Sequence, residues 1–265
     1  MVAAAATFAG RLAQAVRASE SLLCIGLDPD GAGGAAAAEG QCRSLLDATM
    51  EHVCAVKPNL AFFEQYGSAG YALLERLRSV IPTDRLLILD AKRGDVGNTA
   101  EAYARALFDV LGADVVTVNP LLGHDSVAPF LTRPGRGVFI VARTSNRGAD
   151  DFLDHSAGPD GTRLYQRIVD VAQRWDPDRG TIGYVVGATA PDAVAEVRRR
   201  APSAPLLLPG VGAQGGDLEA AVRAGLDAQG GGAVVPVSRA IAAAADPGLA
   251  ARELRDRIAA VRAAA

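Results

Sequence analysis

A (β/α)8 TIM barrel is the fold class this sequence predicts, and three observations predict it. Eight short apolar runs of strand type recur along the 265 residues, helix-patterned stretches separate them, and no glycine-rich dinucleotide fingerprint follows the first run, where Cys24-Ile25-Gly26-Leu27-Asp28-Pro29 stands instead. Strand followed by helix throughout implies a parallel sheet. Eight β/α units in about 250 residues are what closes such a sheet into a barrel. An open doubly wound sheet would need only six strands, but it normally carries the missing fingerprint. The chain is accordingly read as a single domain over residues 1–265.

Taken in order, residues 7–18 come first, with Thr7 as a candidate N-cap and Leu12, Ala15 and Val16 on one face. This segment is expected to be a capping helix that closes the bottom of the barrel. Strands are expected at 22–26, 53–57, 86–90, 114–118, 137–142, 181–186, 205–208 and 233–237, short apolar runs of the kind that strands buried on both faces show. Between them lie helix patterns such as Tyr71, Leu74, Leu77 and Arg78 before Pro82, and Ala102, Ala106, Leu107 and Val110 before Gly112. The stretches 31–40 and 228–232 are read as flexible loops from their glycine and alanine content. No internal repeat longer than the β/α unit is visible.

Hydrophobic residues make up 49% and charged residues 22% of the chain, enough apolar material for an ordinary core without disulfides or metal. A net charge of −3 leaves no electrostatic footprint for nucleic acid or an anionic membrane, so an anionic partner must be small and held locally. Three cysteines, Cys24, Cys42 and Cys54, with no C-x-x-C pair, suggest neither a disulfide framework nor a zinc site and fit a reducing cytoplasm. The first residues lack a basic stretch before an apolar one, and no run reaches the roughly 18 apolar residues of a membrane span.

In such barrels the functional groups sit where strands end and βα loops begin. Here seven of the eight ends are polar: Asp28, Lys57, Asp90 with Lys92, Asn119, Arg143 to Asn146, Gln214, and Ser238 with Arg239. The sharpest is Asp90-Ala91-Lys92-Arg93-Gly94-Asp95 after four apolar residues. Alternation along a strand puts Asp90 and Lys92 on one side, and a turn at Gly94 could bring Asp95 close. A lysine among carboxylates is held as an ammonium, a fixed cation and proton donor. The plainer reading is a salt bridge at a helix start, with Asp95 as N-cap to a helix beginning near Asn98. Lys57 ends another apolar strand and needs a partner, for which Asp90 is placed; otherwise it snorkels from the barrel mouth. Glycines in the loop Pro209 to Gly216 (which includes Gln214), together with Arg239 after strand 8, suit a phosphate, although glycine also serves turn geometry. Thr144, Ser145 and Asn146 could read a heterocycle edge or could terminate the strand as an ST-turn. His52, His124 and His155 show no metal spacing and no triad pattern, and Trp175 is read as packing.

With these residues assembled, the chain resembles the orotidine 5′-phosphate decarboxylase family, in the branch whose signature reads Asp-Ala-Lys-Arg-Gly-Asp. The likeness runs from Gly26-Leu27-Asp28-Pro29 through Val56-Lys57-Pro58-Asn59, Asp90 to Thr99, Thr117-Val118-Asn119-Pro120, Arg143-Thr144-Ser145-Asn146 and Pro209 to Gly216, to Ser238-Arg239-Ala240-Ile241, in family order. It implies cofactor-free, metal-free loss of CO2 from orotidine 5′-monophosphate to give UMP, the last step of de novo pyrimidine synthesis. By the same resemblance, Lys92 protonates C6, with Asp90 and Lys57 in its charged network. Asp95 and Thr99 enter from the neighbouring subunit of a homodimer. Asp28, Lys57 and Thr99 contact the ribose, Ser145 the pyrimidine, and Gln214 with Arg239 the phosphate. Leu121 and Arg147 depart from the family pattern. Two rivals remain: a Mg2+-dependent sugar-phosphate lyase or aldolase such as a hexulose-phosphate synthase, and a catalytically silent barrel that binds a phosphorylated metabolite.

Overall fold

The computed structural model describes residues 7–176, 180–212 and 214–265, so Ala213 of the glycine-rich loop and the first six residues lie outside it. Strands β1 (Leu23–Leu27), β2 (Ala55–Pro58), β3 (Leu86–Arg93), β4 (Val115–Val118), β5 (Gly137–Arg143), β6 (Ile182–Val186), β7 (Leu206–Leu207) and β8 (Ala233–Val237) pair in parallel in chain order, and β8 returns to β1 to close a barrel. Every residue of β1, β2, β4, β6 and β8 is buried. That is why these strands read as unbroken apolar runs instead of alternating ones.

The surrounding layer comprises α1 (Phe8–Ser19), α2 (Gly34–Thr49), α3 (Ala61–Glu64), α4 (Ser68–Arg78), α5 (Gly97–Ala104), α6 (His124–Val127), α7 (Leu164–Ala172), α8 (Pro191–Arg200), α9 (Leu218–Gly225), α10 (Arg239–Ala242) and α11 (Pro247–Ala263). Helix α1 lies against the bottom of the barrel. Thr7 caps it by accepting the Gly10 N–H at 3.2 Å, and the Phe8 ring meets Phe139 of β5 edge-on at 5.3 Å. Gly137 opens β5 because any Cβ there would sit 2.2 Å from the Phe8 ring. Arg11 and Arg136 share one oxygen of buried Asp114, at 2.6 and 2.8 Å, and the other oxygen accepts the Leu87 N–H at 2.8 Å. The helix, β3 and the start of β4 are thereby tied together.

Two sequence expectations are corrected. The 31–40 stretch is a loop only at its start: α2 begins at Gly34, because Ala35 to Glu39 are strong helix formers and Ala38, Cys42 and Leu46 bury one face at i, i+4, i+8. Asp95 is not the N-cap of the helix after β3. Val96 holds that position, and among the described residues the Asp95 carboxylate accepts only the adjacent Val96 N–H, at 2.8 Å.

Strand β3 continues three residues past its expected end at Asp90, and there it breaks register with β4. Leu89 pairs with Val116, and the next pair is Arg93 with Val118. Asp90, Ala91 and Lys92 therefore stand against a single residue, Thr117. Such a bulge bends the strand and re-aims its side chains. Lys92 takes up the extra length in the left-handed region at φ 47°, a conformation that costs a β-carbon-bearing residue energy and needs support from its surroundings.

Candidate active site

The strand ends at the C-terminal mouth enclose a cavity of about 290 Å³. One wall comes from β2, β3 and β4. Lys57 Nζ bonds Asp90 Oδ2 at 2.9 Å, Lys92 Nζ bonds Asp90 Oδ1 at 2.6 Å, and the Thr117 hydroxyl donates to that same Oδ1 at 2.9 Å. Side-chain exposure is 9% for Lys57 and 12% for Asp90, against 50% for Lys92. The first two are structural parts of the wall, while the Lys92 ammonium faces open space. Burial alone would raise the Asp90 carboxyl, but the charges of Lys57 and Lys92 and their hydrogen bonds outweigh it and hold the group far below the usual carboxylate range. Burial alone would likewise lower the Lys57 ammonium, and Asp90 and Asp28 reverse that, so its pKa lies above the ordinary lysine value. Lys57 and Asp90 therefore stay charged as a pair at any pH near neutrality.

Asp90 and Lys92 do meet, but through the bulge and the left-handed turn at Lys92, not by simple strand alternation. Asp28, at the end of β1, lines the cavity beside them, and its Oδ1 is buried without a hydrogen-bond partner. A buried carboxylate oxygen left unpaired is unfavourable until a donor such as a ligand hydroxyl reaches it.

The opposite wall comes from the loops after β5, β7 and β8. Ser145 and Asn146 both line it, and Ser145 fits because glycines stand behind it: a Cβ at Gly187 would lie 2.6 Å from Ser145 Cα, and one at Gly210 would lie 2.8 Å from Ser145 Cβ. Gly210 sits at φ 106°, which a larger residue would resist. Gln214 and Arg239 line the cavity from exposed positions. Of the 18 ion pairs among the described residues, none includes Arg239.

Asp28, Lys57, Asp90, Lys92, Ser145, Gln214 and Arg239 thus share one cavity, whereas Asp95 and Thr99 do not line the cavity of their own chain. Arg143 is turned away into a two-pronged pair with Asp154, at 3.0 and 2.8 Å. Thr117 and Asn59 also line the cavity; in the sequence they stand within the family motifs but carry no assigned role. For Thr117 the available signal was one hydroxyl in the otherwise all-valine strand Val115–Val118. None of the three histidines lines the cavity, and the His124 ring packs 5.5 Å from that of Trp175. Burial pushes the Cys42 and Cys54 thiols up to about 12, which makes them poor nucleophiles or ligands. Among the described residues no cluster of His, Cys, Asp or Glu is arranged to hold a metal ion.

Residues 21–254 match the profile of the orotidine 5′-phosphate decarboxylase / HUMPS family. The chain belongs to this family. It is 46% identical to the orotidine 5′-phosphate decarboxylase of Thermomicrobium roseum, with 97% of this chain and 96% of that one covered. With the enzyme of the same name from Roseiflexus sp. strain RS-1 the identity is 51%, over 82% of each chain. The solved structure of Leishmania donovani OMP decarboxylase superposes with a TM-score of 0.90 at 42% identity, covering 97% of this chain and 99% of that one. Relatives of this name do not favour the magnesium-dependent alternative on the same barrel.

Proposed function

We propose that this chain is a carboxy-lyase that converts orotidine 5′-monophosphate to UMP and CO2, the closing step of de novo pyrimidine synthesis, with no cofactor. The observation that carries the reading is the Lys92 ammonium, bonded to Asp90 at 2.6 Å and yet half exposed to a cavity whose far side presents Arg239, which is in no ion pair among the described residues. Breaking the C6–carboxylate bond leaves its electron pair on a ring carbon with nothing to delocalise it. The protein must therefore have positive charge in place at that carbon beforehand. Lys92 supplies the charge and then transfers an Nζ proton to C6, forming the C6–H bond of UMP; it regains a proton from water after CO2 leaves. Asp90, braced by Lys57, keeps the ammonium from drifting.

The remaining assignments are those the family resemblance implies, for residues that line the same cavity. Asp28 and Lys57 take the ribose hydroxyls, Ser145 the pyrimidine edge, and Gln214 with Arg239 the phosphate. The acceleration required falls toward the upper part of the enzymatic range of about 8 to 23 kcal/mol, so binding energy from the remote phosphate must be realised in the transition state. Mg2+ prefers several free oxygen ligands. Both Asp90 oxygens are already taken by ammonium and hydroxyl donors, which weighs against a metal-dependent lyase.

Asp95 and Thr99 belong, in this reading, to the cavity of a second copy in a homodimer. Exposed Val96 and Tyr103, beside and on α5, with exposed Leu121 and Leu122 just before α6, which α5 touches, offer the apolar surface such a contact needs. The enzyme is assigned to the cytoplasm as a single domain over 1–265; no described helix is long and apolar enough to cross a membrane. The test is to follow the absorbance of orotidine 5′-monophosphate with purified protein in EDTA. Turnover that survives the chelator is expected, and absence of turnover, or dependence on added Mg2+, would sink the assignment.

A further inference from the structure

We propose that Thr117 is a positioning residue for the decarboxylation: its hydroxyl fixes the backbone of Lys92 and the carboxylate of Asp90 at the same time, so the reacting ammonium is held from both ends. The role in turnover rests on the decarboxylase reading above; the geometry does not.

Where three residues of β3 face one of β4, the regular ladder lapses, and the Lys92 N–H is left without a strand carbonyl to meet. A poorly solvated N–H without a partner is unfavourable. Thr117 Oγ1 accepts it at 2.9 Å. The roles in the rest of the cluster follow without ambiguity. A carboxylate can only accept, so the Thr117 hydroxyl must spend its proton on Asp90 Oδ1 at 2.9 Å, and its lone pairs are what remain for the Lys92 N–H. Lys92 Nζ donates to that same Oδ1 at 2.6 Å. Three hydrogen bonds therefore form a closed ring that leaves Lys92 at its backbone nitrogen and returns to it at the tip of its own side chain.

This ring accounts for two things that packing leaves open. Lys92 occupies the left-handed region at φ 47° although it is not glycine, and such a conformation persists only where neighbours hold it. Thr117 is 1% exposed between Val116 and Val118, where valine would fill the same volume and suit a strand equally well. A buried hydroxyl at this position is explained by the two bonds it makes.

The experiment compares Thr117→Val, which keeps the shape and removes both bonds, with Thr117→Ser, which keeps the bonds and removes a methyl group. Thr117→Val is expected to lower kcat by about 10- to 100-fold, the scale of a small misplacement of a reacting group, with KM changed less than about threefold. Thr117→Ser should retain kcat within about threefold of the parent. Equal losses in the two variants, or a parental kcat in Thr117→Val, would overturn the proposal. A crystal structure of Thr117→Val gives an arm independent of turnover: Lys92 should leave the left-handed region, or its Nζ should move out of bonding range of Asp90, and unchanged geometry would count against the idea. Should Thr117→Val not fold, Thr117→Ala takes its place in both arms with the same expected and opposing outcomes. If the parent enzyme itself fails to turn over orotidine 5′-monophosphate, the decarboxylase reading falls, and the crystallographic arm still decides whether Thr117 sets the geometry of Lys92.

Discussion

The two walls of the cavity are built on opposite plans. On the β2–β3–β4 side, Lys57, Asp90, Lys92 and Thr117 are mutually bonded, and all but Lys92 are largely buried. On the β5–β7–β8 side, Gln214 and Arg239 are exposed, and Arg239 forms no ion pair within the described chain. The first wall already has its partners within the chain; in the proposed reading, the second receives its partners from the substrate. Preformed charge is what a short-lived carbanion needs, because reorganising dipoles during bond breaking would add to the barrier. A cation without an internal partner suits the phosphate, since no existing ion pair must first be broken.

If this contrast is right, the largest effect belongs to the first wall. Lys92→Ala should lower kcat by at least about 10⁴-fold, combining lost charge stabilisation with lost proton transfer. Its thermal midpoint should hardly move, since the side chain is half exposed; a variant that still turns over at the parental rate ends the assignment. Asp90→Ala should instead show in folding as well as in rate. It leaves two ammonium groups facing each other and should cost on the order of 3 to 5 kcal/mol in urea unfolding, so an unaltered unfolding midpoint would mean that the wall is not preorganised by this carboxylate.

Substitution on the second wall should behave differently. Arg239→Ala is expected to lower kcat/KM by roughly 10- to 100-fold, the loss of one or two charge-assisted bonds, while leaving stability alone. Loss of stability without loss of affinity would erase the distinction between the walls. Because Asp95 and Thr99 stay out of their own cavity, mixing Lys92→Ala with Asp95→Ala under subunit exchange should restore roughly a quarter of parental activity, from half the dimers being mixed and each having one intact site of two. No recovery after exchange is demonstrated by mass would argue against a shared site.

The smallest effect expected is that of pH. A depressed carboxylate contributes stability above its unfolded pKa and loses it only as pH falls through the folded value. A raised ammonium contributes below its unfolded pKa and loses it as pH rises through the folded one. Asp90 is depressed and Lys57 raised, so their pair should be constant from about pH 5 to 9. Any acid limb in kcat/KM should then follow the substrate phosphate near pH 6 or so. A limb that persists with the same midpoint in Asp90→Asn would agree with this, and one that disappears would assign the titration to the wall.

Much of this architecture was legible in the residues alone. Buried parallel strands must be apolar throughout, so runs such as 233–237 advertise themselves, and polar groups placed just beyond them stand out against that background. Those grounds pair Lys57 with Asp90, and their atoms lie 2.9 Å apart. Local reasoning failed where two strands had to be compared. Regular alternation could place Asp90 and Lys92 on one side, but only the register between β3 and β4 reveals a bulge, a left-handed lysine and the threonine opposite them. The loop expected at 31–40 failed for another reason: glycine content outweighed a run of alanines that tertiary packing turned into helix.

By itself, then, the order of residues determined the class of fold, the mouth at which the polar strand ends gather and the kinds of charge found there, because hydrophobic period and strand-end polarity are local properties. Tertiary structure alone decided how Lys92 is aimed, that Thr117 completes its support, and that Asp95 stands outside its own cavity. Those facts depend on which backbones lie side by side and in what register, and a hydrogen bond between residues 25 apart, such as Lys92 to Thr117, leaves no periodic trace in the chain that forms it.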